Sequence, residues 1–137
     1  MDKLYCLTFF TSPNGNDRAG FHIGLFQTYD EAKRVAAHYQ NEVPGFKDYP
    51  CDAEITQIPV IGDVADGMSV YRYVGWNEDE DDNESDILES DCYADPAQAE
   101  NAYRKAQTEF PRAEWALNRH IIGKCDWQEG FARILSR

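Results

Sequence analysis

Residues 28–44, TYDEAKRVAAHYQNEVP, decide the fold, because their pattern returns 67 residues later in residues 95–111, DPAQAENAYRKAQTEFP. In the first stretch Ala32, Val35, Ala36, Tyr39 and Val43 fall at i, i+3, i+4, i+7 and i+11, one face of an α-helix. Ala99, Ala102, Tyr103, Ala106 and Phe110 repeat that spacing at the same offset. Each stretch opens with a capping-box pattern, Thr28 with Glu31 and Asp95 with Gln98, and Pro96 takes a first helical position. Each ends before a proline, Pro44 or Pro111, which has no N–H to continue a helical ladder.

Working outward, the 67-residue offset also aligns strand-like segments. Lys3–Thr11 and residues 70–77 are rich in β-branched and aromatic side chains, and residues 22–27 and 86–93 read as their hairpin partners. The first hairpin turns through Asn14-Gly15-Asn16, which is turn chemistry, and the second through an acidic segment. Residues 53–61 alternate and form a third strand, residues 114–123 are its counterpart, and residues 130–135 suggest a short terminal strand. The expected fold is α+β: two β-β-α-β units in tandem (about 1–66 and 67–137), related by a pseudo-twofold. They would form an antiparallel sheet with both helices on one face and the small-residue helix faces in one shared core, a single compact domain over residues 1–137. The turn-like linker 62–69 fits that better than two separate beads.

The 137 residues carry 13 Lys+Arg against 25 Asp+Glu, a net charge of −12. Nine of the acids lie between Glu78 and Asp91 with no basic residue among them, leaving 16 acids against 13 bases elsewhere. Such a run repels itself and reads as a solvated loop. Asp79, Asp81 and Asn83 have the spacing of an EF-hand start. Glu84 and Ser90, however, stand where the turn glycine and the bidentate Glu are required, which argues against a calcium site. The charge balance argues against nucleic acid as a partner. No apolar run approaches the ~20 residues of a membrane span, and no signal-peptide pattern opens the chain, so a cytoplasmic address is expected.

Catalytic and metal motifs are not found. Cys6, Cys51, Cys92 and Cys125 have no close-ligand spacing and read as structural thiols, Cys6 and Cys92 within strands. His22, His38 and His120 form no i, i+2 or i, i+4 pair, and His38 flanks the apolar stripe of its helix. No cofactor or metal is expected. Phe46 and Tyr49, between Pro44 and Pro50, read as a rigid turn or as an exposed aromatic loop for a partner. Trp127, Gly130 and Phe131 read as closing the end of a sheet, or, with Glu129, as a recognition element.

The segment Pro44-Gly45-Phe46-Lys47-Asp48-Tyr49-Pro50, the ending Asp126-Trp127-Gln128-Glu129-Gly130-Phe131 and the strand 22–26 resemble an uncharacterised family of short bacterial proteins. The family unit is about as long as one half of this chain. The two motifs lie in different halves, so each half would be a degraded copy complementing the other. The resemblance implies no activity.

The function expected from these features is a non-enzymatic acidic module that binds a basic protein, an immunity-like inhibitor being one concrete version. Its partner-facing residues would be Glu78, Asp79, Glu80, Asp81, Asp82, Glu84, Phe46, Tyr49, Trp127 and Glu129. One alternative is a small-molecule or metal-binding protein, or weak enzyme, with a cleft between the halves lined by His22, His120, Glu129 or a cysteine. Another is a homodimeric structural protein.

Overall fold

Seven strands and two helices follow one another in the computed structural model, which describes residues 3–11, 19–78 and 84–131: β1 (Lys3–Thr11), β2 (Ala19–Phe26), α1 (Tyr29–Glu42), β3 (Cys51–Ile61), β4 (Ser69–Glu78), β5 (Glu84–Glu89), β6 (Cys92–Tyr93), α2 (Pro96–Glu109) and β7 (Glu114–Ile121). The class is mixed α+β. The terminal strand expected at 130–135 falls largely outside the described residues, and Gly130 and Phe131 are not in a strand. No helix among the described residues is long and apolar enough to cross a membrane.

The described chain divides into two compact units whose border is not a single cut near residue 66. Leu4–Gln57 and residues 122–131 make the first; Ile58–Ile121, with Lys3, make the second. The chain therefore leaves the first unit within β3 and returns to it after β7.

In the first unit the strand order is β2-β1-β3. β1 and β2 are antiparallel, and their register steps from Leu7↔Gly24 to Thr8↔His22. Ile23 is thus the extra residue of a bulge, which leaves its backbone without a partner on β1. Thr28 caps α1, its hydroxyl accepting the Glu31 N–H at 3.1 Å. The helix ends at Val43, whose N–H still reaches the Tyr39 carbonyl, immediately before Pro44. Ala32, Ala36, Tyr39 and Val43 are buried with Leu7, Phe9, Ile23, Phe26 and Phe46 in one core, and the alanines let the helix approach the sheet closely.

In the second unit β4 is central. β7 pairs with it from Ser69↔Ile121 to Trp76↔Glu114, while β5 and β6 share its other edge. The single strand expected over 86–93 is interrupted at Ser90 and Asp91. There the buried Ser90 hydroxyl accepts the Tyr73 N–H at 2.9 Å and donates to the Asp91 carbonyl at 2.8 Å, replacing a ladder bond with a side chain. The sheet is not wholly antiparallel, a second correction: β6 runs parallel to the end of β3, with Val60↔Cys92 and Ile61↔Tyr93. The cause is topological. The chain reverses through residues 62–68 into β4 and reverses again into β5, so β6 arrives beside β3 in the same direction.

Asp95 caps α2 by accepting the Ala97 N–H at 2.9 Å, one residue short of the capping-box position. Only Ala99 and Ala106 of α2 are buried. Phe110, expected on the buried face like Val43, is 41% exposed against 4% for Val43. Val43 belongs to one core with Tyr39 and Phe46, whereas the Phe110 carbonyl accepts the indole N–H of Trp115 at 3.2 Å and the Phe110 ring stays largely exposed.

Candidate functional site

The two sequence motifs at 44–50 and 126–131 meet in the first unit. Residues 43–49 form a compact turn, with Lys47 N–H on the Val43 carbonyl and Tyr49 N–H on the Gly45 carbonyl, both at 3.0 Å. The Asp48 carboxylate accepts the Gly45 N–H at 3.0 Å. Against this turn lies the returning segment. Its Gly123 and Asp126 N–H groups donate to the Leu25 and Ile23 carbonyls at 2.8 and 2.7 Å, the second being the carbonyl that the β2 bulge sets free. Phe131 N–H then donates to the Pro44 carbonyl at 3.1 Å. Gly45 and Gly130 both have positive φ, +87° and +77°, and any Cβ on Gly130 would collide with the Pro44 carbonyl oxygen. Only glycine allows the two backbones to touch.

The closure is aromatic. Phe46 packs on Phe9, Tyr39, Phe21 and Phe131 with ring centroids 4.9–5.5 Å apart. Phe131 stacks on Phe21 at 4.8 Å, and Trp127 meets Phe21 edge-on at 4.8 Å. Trp127 itself has φ +61°, a left-handed conformation in a turn closed by Gly130 N–H on its own carbonyl.

Beside this closure, α1 and residues 125–128 form the walls of a cavity of about 360 Å³, open to solvent on one side and lined by Arg34, Val35, His38, Tyr39, Val43, Cys125 and Gln128. The Tyr39 hydroxyl donates to the Asp126 carbonyl at 2.7 Å. Burial, with Cys125 and Asp126 nearby, pushes its pKa up to about 12. Burial likewise pushes the Cys125 thiol up, against a hydrogen bond with Tyr39 that lowers it. That direction disfavours a thiolate nucleophile. His38 Nδ1 lies 2.6 Å from Glu42 Oε2, an exposed i, i+4 pair. The Gln128 side-chain amide donates to the Cys125 carbonyl at 2.9 Å, which holds this wall in place.

The residues named from sequence are thus spread apart. Phe46 is 2% exposed and is a core residue, so it offers nothing to a partner; its ring fills the space under Phe131. Tyr49 is half-buried on Phe131. Trp127 is 46% exposed and Glu129 is exposed. Glu78 and Glu84 are paired in register across β4 and β5. Asp79, Glu80, Asp81 and Asp82 lie outside the described residues. No disulfide joins the four cysteines, and among the described residues no cluster of three or more metal-ligating side chains occurs. Arg34, Val35 and Gln128 were not among the sequence candidates. The i, i+4 spacing of Arg34 with His38 and Val35 with Tyr39 places them along one side of α1, but the opposite wall comes from a segment some ninety residues distant. Compared with protein-family models, with curated proteins and with solved structures, the chain matches none of them.

Proposed function

We propose that the protein is a non-enzymatic binding module that receives a basic protein at the end of the β4–β5 hairpin, in the manner of an inhibitor or immunity protein. The observation that carries this reading is the placement of nine acids and no base between Glu78 and Asp91. Glu78 and Glu84 hold opposed register positions at the end of the β4–β5 pairing. Like charges at opposed positions of a ladder cost stability, and a cationic partner offsets that cost. Clustered acids also accelerate encounter with such a partner at a rate that falls with salt. The experiment is affinity capture from native lysate with the natural chain and with Glu78, Asp79, Glu80, Asp81, Asp82 and Glu84 changed to Gln or Asn. Loss of a basic protein from the captured set supports the reading; identical captured sets sink it.

The tandem organisation belongs to the same proposal. Each half supplies a bulged hairpin, a capped helix ending at a proline and a third strand beside the first, in the orders β2-β1-β3 and β5/β6-β4-β7. The likeness of these two runs supports a repeated β-β-α-β unit with a pseudo-twofold relation, in which the second hairpin acquired the acidic turn.

A further inference from the structure

We infer that the cavity between α1 and residues 125–128 binds a small monocarboxylate with a compact apolar body. The cavity lies in the first unit and is independent of the acidic hairpin, so the inference stands apart from the protein-binding proposal. Its volume of about 360 Å³ lies at the small end of ligand sites, which run from roughly 300 to 1,000 Å³. Val35, Val43, the Tyr39 ring and Cys125 give walls suited to an aryl or branched alkyl group. The Tyr39 hydroxyl is already committed to the Asp126 carbonyl, so the interior presents mainly carbon and sulfur.

Charge orients and limits the ligand. Arg34 lines the cavity and has no ion pair or hydrogen bond among the described residues, whereas Glu42 is engaged by His38. An Arg guanidinium without a partner matches a carboxylate in fork geometry. Asp126 in the returning segment, and Glu31 one turn before Arg34 on α1, impose negative potential on Cys125. A ligand's anionic group therefore belongs at Arg34 and its apolar body toward Cys125 and Val43. A single negative charge is favoured over the two of a phosphate monoester, because the same acids repel the second charge.

The test is protein-observed NMR titration of the full chain with phenylacetate, 2-phenylethanol and acetate. Saturable shifts with phenylacetate, centred on the amides of residues 34–43 and 125–128, are expected. 2-Phenylethanol keeps the apolar body without the charge and should bind about tenfold more weakly, the scale of one charge-assisted hydrogen bond. Acetate, with charge and no body, should give no saturable shift. Arg34→Ala, a change that removes no hydrogen bond or ion pair among the described residues, should weaken phenylacetate binding about tenfold, and Val35→Trp should fill the cavity and abolish it. The inference is overturned if phenylacetate gives no saturable shift, if 2-phenylethanol binds as tightly, or if Arg34→Ala binds unchanged. Neutralising the acidic hairpin should leave the titration as it was.

Discussion

The N–H of Phe131 donates to the carbonyl of Pro44 at 3.1 Å, and this bond joins the two ends of a structural circuit. Pro44 stops α1; Phe131 belongs to the segment that has left β7 and come back to close the first unit. The core side chain between them is Phe46, and the cavity lined by Arg34 and Cys125 exists because the returning segment supplies one wall. Stability of this closure and shape of the cavity are therefore one property.

Gly130→Ala tests the closure. The new methyl group meets backbone at the Pro44 carbonyl and sits at φ +77°, so both sterics and conformation oppose it. We expect a loss of about 2 kcal/mol or more in urea unfolding. Gly67→Ala is the control. Its φ is +83°, but nothing lies within 4 Å of the added Cβ, so only the left-handed penalty of about 1–2 kcal/mol applies. Equal losses at the two positions would contradict the close approach of the two backbones.

Tyr39 predicts a pH dependence. Its folded pKa of about 12 lies above the ordinary 10, so between those values the unfolded chain loses this proton first. The unfolded state then binds fewer protons than the native state, and stability falls as pH rises through that window. The contribution is present below pH 10 and gone above about 12; its size is of order 2 kcal/mol. Tyr39→Phe should make the fall across this window shallower, leaving the part due to Tyr73, whose pKa burial also raises, at the expense of about 1 kcal/mol at neutral pH for the lost bond to the Asp126 carbonyl. An unchanged slope between pH 10 and 12 in the variant would assign the effect to another group.

Ser90→Ala probes the interruption between β5 and β6. The hydroxyl satisfies the Tyr73 N–H inside a buried site, and its loss strands that donor. A cost of about 1–3 kcal/mol is expected. Amide exchange at Tyr73 should accelerate while exchange at Gly123 and Asp126, in the other unit, stays as it was. Equal acceleration in both units would mean that the substitution acts globally.

These cases also mark what could be read from residues alone. Both helices, their caps at Thr28 and Asp95 and their ends at Pro44 and Pro111 are local matters of hydrogen bonding and periodicity, so the linear pattern contained them. The interruption at Ser90 depends on a hydroxyl finding Tyr73 across a ladder, which no period-2 pattern encodes. Phe110 carries the helical spacing of a buried residue, yet burial needs partners: Val43 shares the core with Tyr39 and Phe46, whereas Phe110 stays 41% exposed. The motifs at 44–50 and 126–131 were visible as unusual glycine-aromatic segments. Their meeting was not, because contact between positions more than eighty residues apart is fixed by the bulge at Ile23 and the returning chain. The cavity residues Arg34 and Gln128 were hidden for the same reason.

Trp127 separates strain from recognition. It is a non-glycine residue at φ +61°, and its indole is 46% exposed while its edge meets Phe21. A bulky residue in the left-handed region costs about 1–2 kcal/mol relative to the right-handed one, a cost glycine avoids. Trp127→Ala removes the indole and keeps most of the strain; Trp127→Gly removes both. If Trp127 serves only the fold, the glycine variant should be more stable than the alanine variant by about 1 kcal/mol, and neither should change what the protein captures from lysate. Loss of a captured partner in both variants, with unfolding midpoints moved only by that difference, assigns the exposed indole to recognition and explains why strain is held there. An alanine variant at least as stable as the glycine variant would show that residue 127 is not held left-handed in solution, and would remove strain from the account of this turn.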